Sequence, residues 1–364
     1  MSVRHLYVHL PFCSSRCGYC DFVTVVGRDG EHDRYVGALL AELELERHLL
    51  APTVETVYLG GGTPTLIAPA ALRRLLGGLP AAAEVTVEAN PETVTPDLAE
   101  LLAAHATRVS LGAQSFSDRL LRVLDRAARP DDVRRAVAIL RDAGIPNLSL
   151  DLIYGVPGQT PAALEHDLEC ALELAPEHIS AYELEAKAGT RFTHAHGAEL
   201  VRQADALEAY FERVVETLTN AGYRWYETAN FCRSGERDLR ARHNLGYWLG
   251  RDYLGLGIGA VSTVAGRRWR NAPSLPRYLA ALARGERPER EHEELPTETR
   301  ALERVMLGLR LDEPLPLAGL EATVDAGELE RLAGAGLVER TSRTLSLTPR
   351  GRLLGGGVTA RLLA

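Results

Sequence analysis

Hydrophobic positions in the first 220 residues switch repeatedly between two spacings. Short apolar or β-branched runs, typical of buried strands, are each followed by a stretch with the 3.6-residue spacing of an amphipathic helix. Strands are predicted in this way at 5–9, 54–59, 85–89, 108–112, 148–153 and 179–184. Alternation of strands and helices implies right-handed βαβ units and a parallel sheet. We therefore predict an α/β fold, a partial (β/α)6 barrel, because six units are too few to close a ring of eight.

The rest of the chain lacks this alternation. Residues 222–264 contain a polar loop at 233–242 and a glycine-dense run at 254–260, while the charged segment 284–300 carries Pro288 and Pro296 and predicts a linker. Helical patterns from residue 301 and an alternating run at 344–348 predict a small α+β, winged-helix-like domain. The predicted domains are a core at 1–230, an extension and linker at 231–295, and a C-terminal domain at 296–364.

Composition narrows the class of protein. With 364 residues, 46% hydrophobic and 25% charged, the chain has the balance of an ordinary globular protein. The formal net charge of −8 argues against nucleic acid, and within 300–364 nine arginines nearly balance eight acidic residues. The sequence shows no apolar run of membrane-spanning length and no signal-peptide pattern, so we expect a cytoplasmic protein.

Three of the five cysteines form a CxxxCxxC motif, Cys13, Cys17 and Cys20, directly after the first predicted strand. Such clustering points to metal or redox chemistry rather than to a disulfide. Structural zinc and the [4Fe–4S] cluster of ferredoxins both take four protein ligands, so three thiolates on a [4Fe–4S] cluster would leave one iron open to a small molecule. A zinc site completed by a histidine such as His9, or three buried thiols, are the alternatives.

Residues suited to binding a ligand follow the other predicted strands. In barrel-like α/β proteins the chemistry gathers at the carboxyl ends of the strands. The glycine turn at 60–63 would let the backbone approach a ligand closely. Glu88, Gln114 and Asp151, at the ends of later strands, could hold amino and hydroxyl groups. The sequence therefore predicts a small-molecule site beside the cysteines.

This combination resembles the radical S-adenosylmethionine superfamily, whose signature is a CxxxCxxC loop followed by a Gly-Gly-rich turn. The resemblance implies a radical-S-adenosylmethionine barrel in which the open iron binds the amino and carboxylate groups of S-adenosylmethionine. An electron from the cluster can then cleave the sulfonium to a 5′-deoxyadenosyl radical, while the protein supplies positioning and excludes water.

Within the superfamily, the chain resembles the oxygen-independent coproporphyrinogen oxidase-like family, which contains oxidases and heme chaperones. The segments that carry this resemblance span most of residues 7–264: YVHLPFCSSRCGYCDF, YLGGGTPT, VEANPE, SLGAQSF, LDRAARPDDVRRA, LDLIYGVPGQT, HISAYEL and HNLGYWLGRDYLGLGIGA. The C-terminal LERVMLGLRL and the ending GLVER…LTPRG are similar to the small domain of the family.

The resemblance implies two sets of site residues. The cluster ligands would be Cys13, Cys17 and Cys20. The residues around S-adenosylmethionine would be Tyr7 and Tyr19 packed beside it, Gly61, Gly62 and Thr63 at its amino end, and Glu88, Gln114, Arg126 and Asp151 on the rest of the molecule.

Two features choose between the branches of the family. The oxidases carry a further cysteine two positions after the third and an extra N-terminal segment, whereas this chain has Phe22 at that position and its first strand begins almost at Met1. The chaperone branch combines CxxxCxxCxF with HNxxYW, which is residues 243–248 here. An imidazole can ligate heme iron, and flanking aromatics can pack on the macrocycle, so His243 is predicted to bind heme. The alternative is that this motif braces the glycine-dense run.

The remaining two cysteines are predicted to be inert. Cys170 lies in an amphipathic helical pattern, as expected of a small buried side chain, and Cys232 is close enough in sequence to His243 to be kept as a second-ligand hypothesis.

The resulting expectation is a heme chaperone that carries a [4Fe–4S] cluster and S-adenosylmethionine and passes heme to apo-hemoproteins, including membrane-associated respiratory enzymes. One alternative is an oxygen-independent coproporphyrinogen III oxidase, and another is a radical enzyme acting on a different porphyrin-like substrate. The sequence leaves open whether S-adenosylmethionine is cleaved, whether the protein is an enzyme, and whether it forms a homodimer.

Overall fold

The computed structural model describes residues 2–187 and 190–363, and its strands fall into two runs along the first 295 residues. The first run is β1 (His5–Leu10), β2 (Phe12–Cys13), β3 (Val25–Val26), β4 (Val54–Gly61), β5 (Ala82–Ala89), β6 (Arg108–Gln114), β7 (Leu148–Tyr154) and β8 (His178–Glu183). The second run is β9 (Tyr223–Glu227), β10 (Asn230–Arg233), β11 (Tyr253–Leu256), β12 (Val261–Val264), β13 (Arg267–Asn271) and β14 (Arg290–Glu294).

Twelve of these strands form one sheet, in the order β14-β13-β12-β11-β1-β4-β5-β6-β7-β8-β10-β9. The central six, β1 and β4 to β8, are the predicted strands and pair in parallel throughout. Antiparallel strands extend the sheet at both edges, and β11 joins it parallel to β1. The open α/β barrel predicted from the hydrophobic pattern is confirmed, and it is wider than the six predicted units.

Helices follow the central strands. They are α1 (His32–Glu46), α2 (Pro69–Gly78), α3 (Pro96–His105), α4 (Asp118–Val123), α5 (Pro130–Asp142), α6 (Pro161–Glu173), α7 (Arg191–Gln203) and α8 (Leu207–Asn220). Thr95 and Thr160 accept hydrogen bonds from the first turns of α3 and α6, whose first residue is a proline, so the sequence fixes both starts. Leucines of α1, α2, α3, α5, α6 and α8 pack with those of the sheet in one core, whereas Leu120 of α4 and Phe192 of α7 lie in a separate, smaller cluster. Across the described ranges, no helix is long and apolar enough to cross a membrane.

The segment 284–300 is not the predicted linker. It contains β14, which pairs with β13, and the start of the next helix. Helices α9 (Arg242–Trp248) and α10 (Leu275–Ala283) belong to the same extension. The buried Glu42 of α1 fastens the extension to the barrel, because its carboxylate accepts hydrogen bonds from Asn271 at 2.7 Å and from Tyr278 at 2.7 Å. The division into domains at 230/231 and 295/296 remains a prediction, since one sheet runs across residues 231–295.

The C-terminal region has its own small core. Its elements are α11 (Thr297–Gly308), β15 (Leu315–Pro316), α12 (Ala326–Gly334), β16 (Val338–Arg340), β17 (Thr344–Leu347), α13 (Pro349–Leu353) and α14 (Gly355–Leu362). The strands pair antiparallel in the order β15-β17-β16, and Val305, Leu329 and Leu345 lie in the core. This is the helix-and-hairpin arrangement that the sequence predicts for a winged-helix-like domain. Contacts such as that of Arg224 with Asp312 at 2.7 Å join it to the edge of the main sheet.

Candidate functional site

One large cavity lies where the parallel strands end. It encloses about 1160 Å³ and is lined by the cysteine loop, by the carboxyl ends of the strands and by the C-terminal domain. All but one of the residues predicted to bind the cluster or S-adenosylmethionine line it: Cys13, Cys17, Cys20, Tyr19, Gly61, Gly62, Thr63, Glu88, Gln114, Arg126 and Asp151. The fold therefore brings together segments that are more than 100 residues apart in sequence.

The three cysteines are half-buried free thiols at one side of this cavity. Cys13 is fixed by the short pair of β2 with β3, and the backbone N–H of Cys20 donates to the carbonyl of Cys17 at 3.1 Å. Burial raises the pKa of Cys13 and Cys20, which favours the neutral thiol until a metal replaces the proton.

The donor arrangement fits an iron–sulfur cube better than a single ion. Three thiols beside a cavity suit a cube, in which each thiolate binds a different iron and one iron stays open, whereas a structural zinc ion takes four protein ligands. His9 is not available as the fourth zinc ligand. Its Nδ1 lies 2.9 Å from the Tyr7 hydroxyl and its Nε2 lies 2.8 Å from the Val23 carbonyl oxygen, so both ring nitrogens are occupied.

The glycine turn packs against the cysteine loop. A Cβ on Gly62 would lie 2.7 Å from the backbone of Pro11 and Phe12, and one on Gly61, whose φ is +113°, would lie 2.4 Å from the His9 ring. The N–H of Gly62 donates to the Leu10 carbonyl at 2.7 Å. Both glycines are therefore required for close packing between the turn and the cysteine loop. This is a second reason for glycine here, besides the close approach of a ligand to the backbone that the sequence predicted.

Thr63 stands between the turn and the thiols. Its Oγ1 lies 3.9 Å from the Cys13 Sγ and accepts a hydrogen bond from the Asn90 amide at 3.0 Å. Asn90 lies within the quoted VEANPE segment, but the sequence alone assigned it no role. In the structure its Oδ1 also accepts from Arg126 at 2.7 Å, so it joins two predicted site residues.

Glu88 is held at the end of β5 by two donors. The Tyr58 hydroxyl donates to Oε1 at 2.7 Å, and the Gly61 N–H donates to Oε2 at 3.1 Å. Burial, with nearby Asp151 adding to it, raises the pKa of Glu88 to about 7 although these hydrogen bonds oppose the rise. At neutral pH the carboxyl is therefore poised between its acid and its anion.

Gln114 and Asp151 approach the cavity from the next two strands. Gln114 has a φ of +63°, which is uncommon outside glycine, and the β6–β7 register shifts just before it. This unusual backbone conformation places the polar side chain of Gln114 in the cavity wall. Strained backbone of this kind often occurs at binding sites. Asp151 accepts a hydrogen bond from the Ser110 hydroxyl at 3.0 Å, and burial raises its pKa.

The side chain of Arg126 lies in the cavity wall rather than on the outer surface of a helix. Its Nη2 donates to the Asn90 Oδ1 and to the Gly112 carbonyl at 3.1 Å, and its Nη1 lies 3.9 Å from the Cys17 Sγ. Its Nε is buried without a partner among the described residues. A half-buried cation whose buried Nε has no acceptor and which lies beside a thiol fits an anionic cluster and the carboxylate of its ligand.

The two predicted tyrosines differ in position. Tyr19 lies in the cysteine loop and lines the cavity, and its ring meets Phe192 edge-on at 6.4 Å. Tyr7 does not line the cavity; its ring stacks on Tyr58 at 6.2 Å. The contact of Tyr7 with S-adenosylmethionine stays a prediction.

His243 is buried directly behind the cavity wall: it does not line the cavity, but Tyr58 and the adjacent Asn244 do. Its Nδ1 lies 2.7 Å from the Thr56 hydroxyl and its Nε2 lies 2.9 Å from the Tyr247 hydroxyl, while its ring stacks on Tyr58 at 5.1 Å. Burial lowers its pKa to about 3, so the imidazole is neutral. Tyr247 in turn packs edge-on against Tyr253 at the start of β11, at 4.6 Å. Tyr253 directly precedes the glycine-dense run, so bracing of that run by the motif stays a prediction. Ligation of heme iron by His243 also stays a prediction, and it requires the ring to give up its hydrogen bond with Thr56 or with Tyr247.

The other two cysteines lie outside the site. Cys170 is buried in α6, 3.2 Å from an Arg134 nitrogen, and Cys232 is buried beside Tyr226 and Leu245. Neither lines the cavity.

The sequence assigned no ligand role to the C-terminal wall of the cavity. It is formed by Met306, Leu309, Arg310, Leu347, Arg352, Leu353, Gly355, Gly356, Thr359, Ala360 and Leu363. Three of these residues, Met306, Leu309 and Arg310, lie in the LERVMLGLRL segment that carries the family resemblance, but nothing in their spacing indicates a cavity.

Comparisons with known proteins agree with this architecture. Residues 7–171 match the Radical SAM superfamily, and residues 295–354 match the HemN C-terminal domain. The heme chaperone HemW of Mycobacterium tuberculosis is 39% identical over 98% of this chain and 94% of its own length, and that of Bacillus subtilis is 32% identical over 99% of each. The structure of coproporphyrinogen III oxidase (HemN) from Escherichia coli superposes with a TM-score of 0.82 over 100% of this chain and 90% of that one, at 24% identity, and so shares the fold. The chain therefore belongs to the heme chaperone HemW family of the radical S-adenosylmethionine superfamily.

Proposed function

We propose that this protein is a heme chaperone that carries a [4Fe–4S] cluster and S-adenosylmethionine and passes heme to apo-hemoproteins. The observation that carries the proposal is the match to curated heme chaperones over 98% of the chain, from the cysteine loop to the C-terminal domain. Phe22 supports it over the oxidase alternative, because an exposed phenylalanine lines the cavity where the oxidase pattern has a cysteine.

Each part of the cavity has a distinct task in this proposal. Cys13, Cys17 and Cys20 would hold the cluster, and Arg126 would balance its negative charge. Glu88, Gln114 and Asp151 would hold the amino and hydroxyl groups of S-adenosylmethionine. When bound, the cluster supplies an electron that can cleave the sulfonium. The cavity of about 1160 Å³ exceeds the usual 300–1,000 Å³ of a single-ligand pocket, which leaves room for a second ligand.

The test is reconstitution of the cluster under anaerobic conditions, followed by hemin titration and transfer to an apo-hemoprotein. We expect saturable heme binding and transfer that depends on the loaded chaperone. A parallel incubation with coproporphyrinogen, reductant and S-adenosylmethionine should give no protoporphyrinogen. Formation of that product, or an absence of heme binding by the reconstituted protein, would contradict the proposal.

Binding of S-adenosylmethionine should depend on pH through Glu88. Its raised pKa of about 7 means that the anion, the better acceptor for amino and hydroxyl donors, forms only as the pH rises. We expect the affinity to increase roughly tenfold from pH 6 to pH 8. Equilibrium titrations of wild type and Glu88→Gln measure this, with the variant giving a weaker and flatter profile. If the pH profiles of the two proteins were parallel, Glu88 would not be part of the S-adenosylmethionine site.

Ligation of heme by His243 stays a prediction, and its test must separate ligation from folding. His243→Ala removes two buried hydrogen-bond partners and leaves a void, so we expect a loss of about 2–4 kcal/mol in the free energy of unfolding. Urea unfolding checks this, with the exposed His48→Ala as the control. Unchanged hemin affinity in a folded His243→Ala would leave the residue only its bracing role, whereas lost affinity would assign it to heme.

The cellular setting belongs to the same proposal. Free thiols that must bind iron favour a reducing compartment, so we place the protein in the cytoplasm. Membrane-associated clients and a homodimer stay predictions, which pull-down with respiratory membranes and sedimentation analysis can check.

A further inference from the structure

The C-terminal wall of the cavity presents an exposed methionine. Met306, on α11, is 53% exposed although it lines the cavity, and the chain has only two methionines, Met1 and Met306. Phe22 and Tyr182, which are 61% and 41% exposed, line the same cavity. Large apolar side chains left exposed together in a cavity are typical of a binding surface for an apolar ligand.

Two arginines lie on the same wall: Arg310 forms an ion pair with Glu227, and Arg352 has no carboxylate partner among the described residues. Arg352 stacks on Trp225, with its guanidinium carbon 3.7 Å from the ring centre, and donates from Nη1 to the Trp225 carbonyl at 2.8 Å. Its Nε and Nη2 are buried and have no partner among the described residues. Arg310 donates to Glu227 at 2.7 Å and lies over Trp248. Buried donors without acceptors are costly, so an anionic ligand group beside Arg352 would stabilise it.

We propose that this wall binds heme, with the Met306 thioether as an axial ligand of the iron and with Arg352, assisted by Arg310, binding the propionates. The inference rests on the proposed heme-chaperone function and specifies where the heme lies. A flat apolar ring with a metal centre and two carboxylates matches an apolar surface that carries one soft donor and two cations.

Besides Met306, the ligands of a kind that heme iron takes in this cavity are four tyrosines, Tyr19, Tyr58, Tyr154 and Tyr182. No histidine is among its described lining residues, and its three thiols are those of the cluster motif. A thioether favours ferrous over ferric heme, because methionine ligation raises the reduction potential. The Met306 site should therefore be tested with reduced as well as oxidised heme.

The test compares matched variants after cluster reconstitution. Met306→Leu keeps an apolar side chain but removes the sulfur, and Leu302→Ala alters an exposed residue of the same helix that does not line the cavity. Resonance Raman and magnetic circular dichroism spectra of the heme complex report the axial ligand. We expect thioether ligation in wild type and Leu302→Ala, and its loss in Met306→Leu.

The arginines are tested with hemin and hemin dimethyl ester, which lacks the free carboxylates. Wild type should bind hemin about tenfold to a hundredfold more tightly than the ester. Arg352→Gln should bind both alike, Arg352→Lys should keep the preference, and Arg350→Gln, exposed on the same helix, should behave as wild type.

The outcomes separate this inference from the function on which it rests. If wild type binds no heme, the proposed function fails. If wild type binds heme but Met306→Leu keeps the wild-type ligand spectrum, or Arg352→Gln keeps the preference for hemin, the inference is overturned while the function stands. Loss of the wild-type ligand spectrum in folded His243→Ala but not in Met306→Leu would likewise overturn it in favour of the HNxxYW motif.

Discussion

Replacing Cys17 by alanine is expected to remove the iron–sulfur cluster and, with it, S-adenosylmethionine binding. The CxxxCxxC loop supplies three thiolates, and none of the other cysteines lines the cavity, so no protein thiol can take the vacated position. Arg126 would then face two thiols and no cluster, 3.9 Å from where the Cys17 sulfur had been. Iron and sulfide content per chain and the brown absorbance of the reconstituted protein measure the loss.

The matched control for Cys17 is Cys170. Cys170→Ala removes an equally small sulfur side chain from α6, outside the cavity, and should keep full iron content at a modest cost in stability. A Cys17→Ala protein that still reconstituted with the wild-type amount of iron and sulfide would show that the loop does not hold the cluster.

The second large effect is expected at Gly62. An alanine Cβ there would lie 2.7 Å from backbone atoms of Pro11 and Phe12, and backbone cannot turn aside as a side chain can. The loop that carries Cys13 would have to move, which would strain the hydrogen bond from the Thr63 N–H to the Phe12 carbonyl at 2.8 Å. We expect a loss of about 2–4 kcal/mol in the free energy of unfolding and a lower cluster content. Denaturant unfolding of the iron-free protein and iron analysis check the two parts separately.

Gly77→Ala provides the contrast. Gly77 lies within α2, and nothing stands within 4 Å of the position of its Cβ. Alanine is the better helix former, so this variant should gain about 0.5–1 kcal/mol. Equal stability of Gly62→Ala and wild type would mean that the turn and the cysteine loop do not depend on their close contact.

Strand β14 lies in a segment whose composition wrongly predicted a linker. Residues 284–300 are charged and contain two prolines, as linkers often do. Arg290 is nevertheless held by Asn271 at 3.0 Å and by Glu46 at 2.9 Å, and its segment pairs with β13. An edge strand is held by backbone hydrogen bonds, which any composition can make, and its charged side chains protect the edge. Glu46 lies more than 200 residues before Arg290 in the sequence, so the local sequence cannot reveal this contact.

The candidate site was predictable where its residues lie in local motifs. The cysteine loop, the glycine turn and the polar residues at the strand ends follow from position, because parallel strands place their carboxyl ends on one rim. Tyr58 and Asn90 were missed as site residues because their roles arise from contacts with Glu88, Thr63 and Arg126.

The sequence by itself determined the six-stranded parallel core, the cysteine loop and the family, because periodicity and motif spacing are local properties of the chain. Tertiary structure alone decided that His243 is enclosed by Thr56, Tyr58 and Tyr247 and that Met306 faces the cavity. Whether a side chain can reach a ligand depends on what distant segments leave exposed around it. That exposure is set by packing between segments far apart in the chain, which no local pattern encodes.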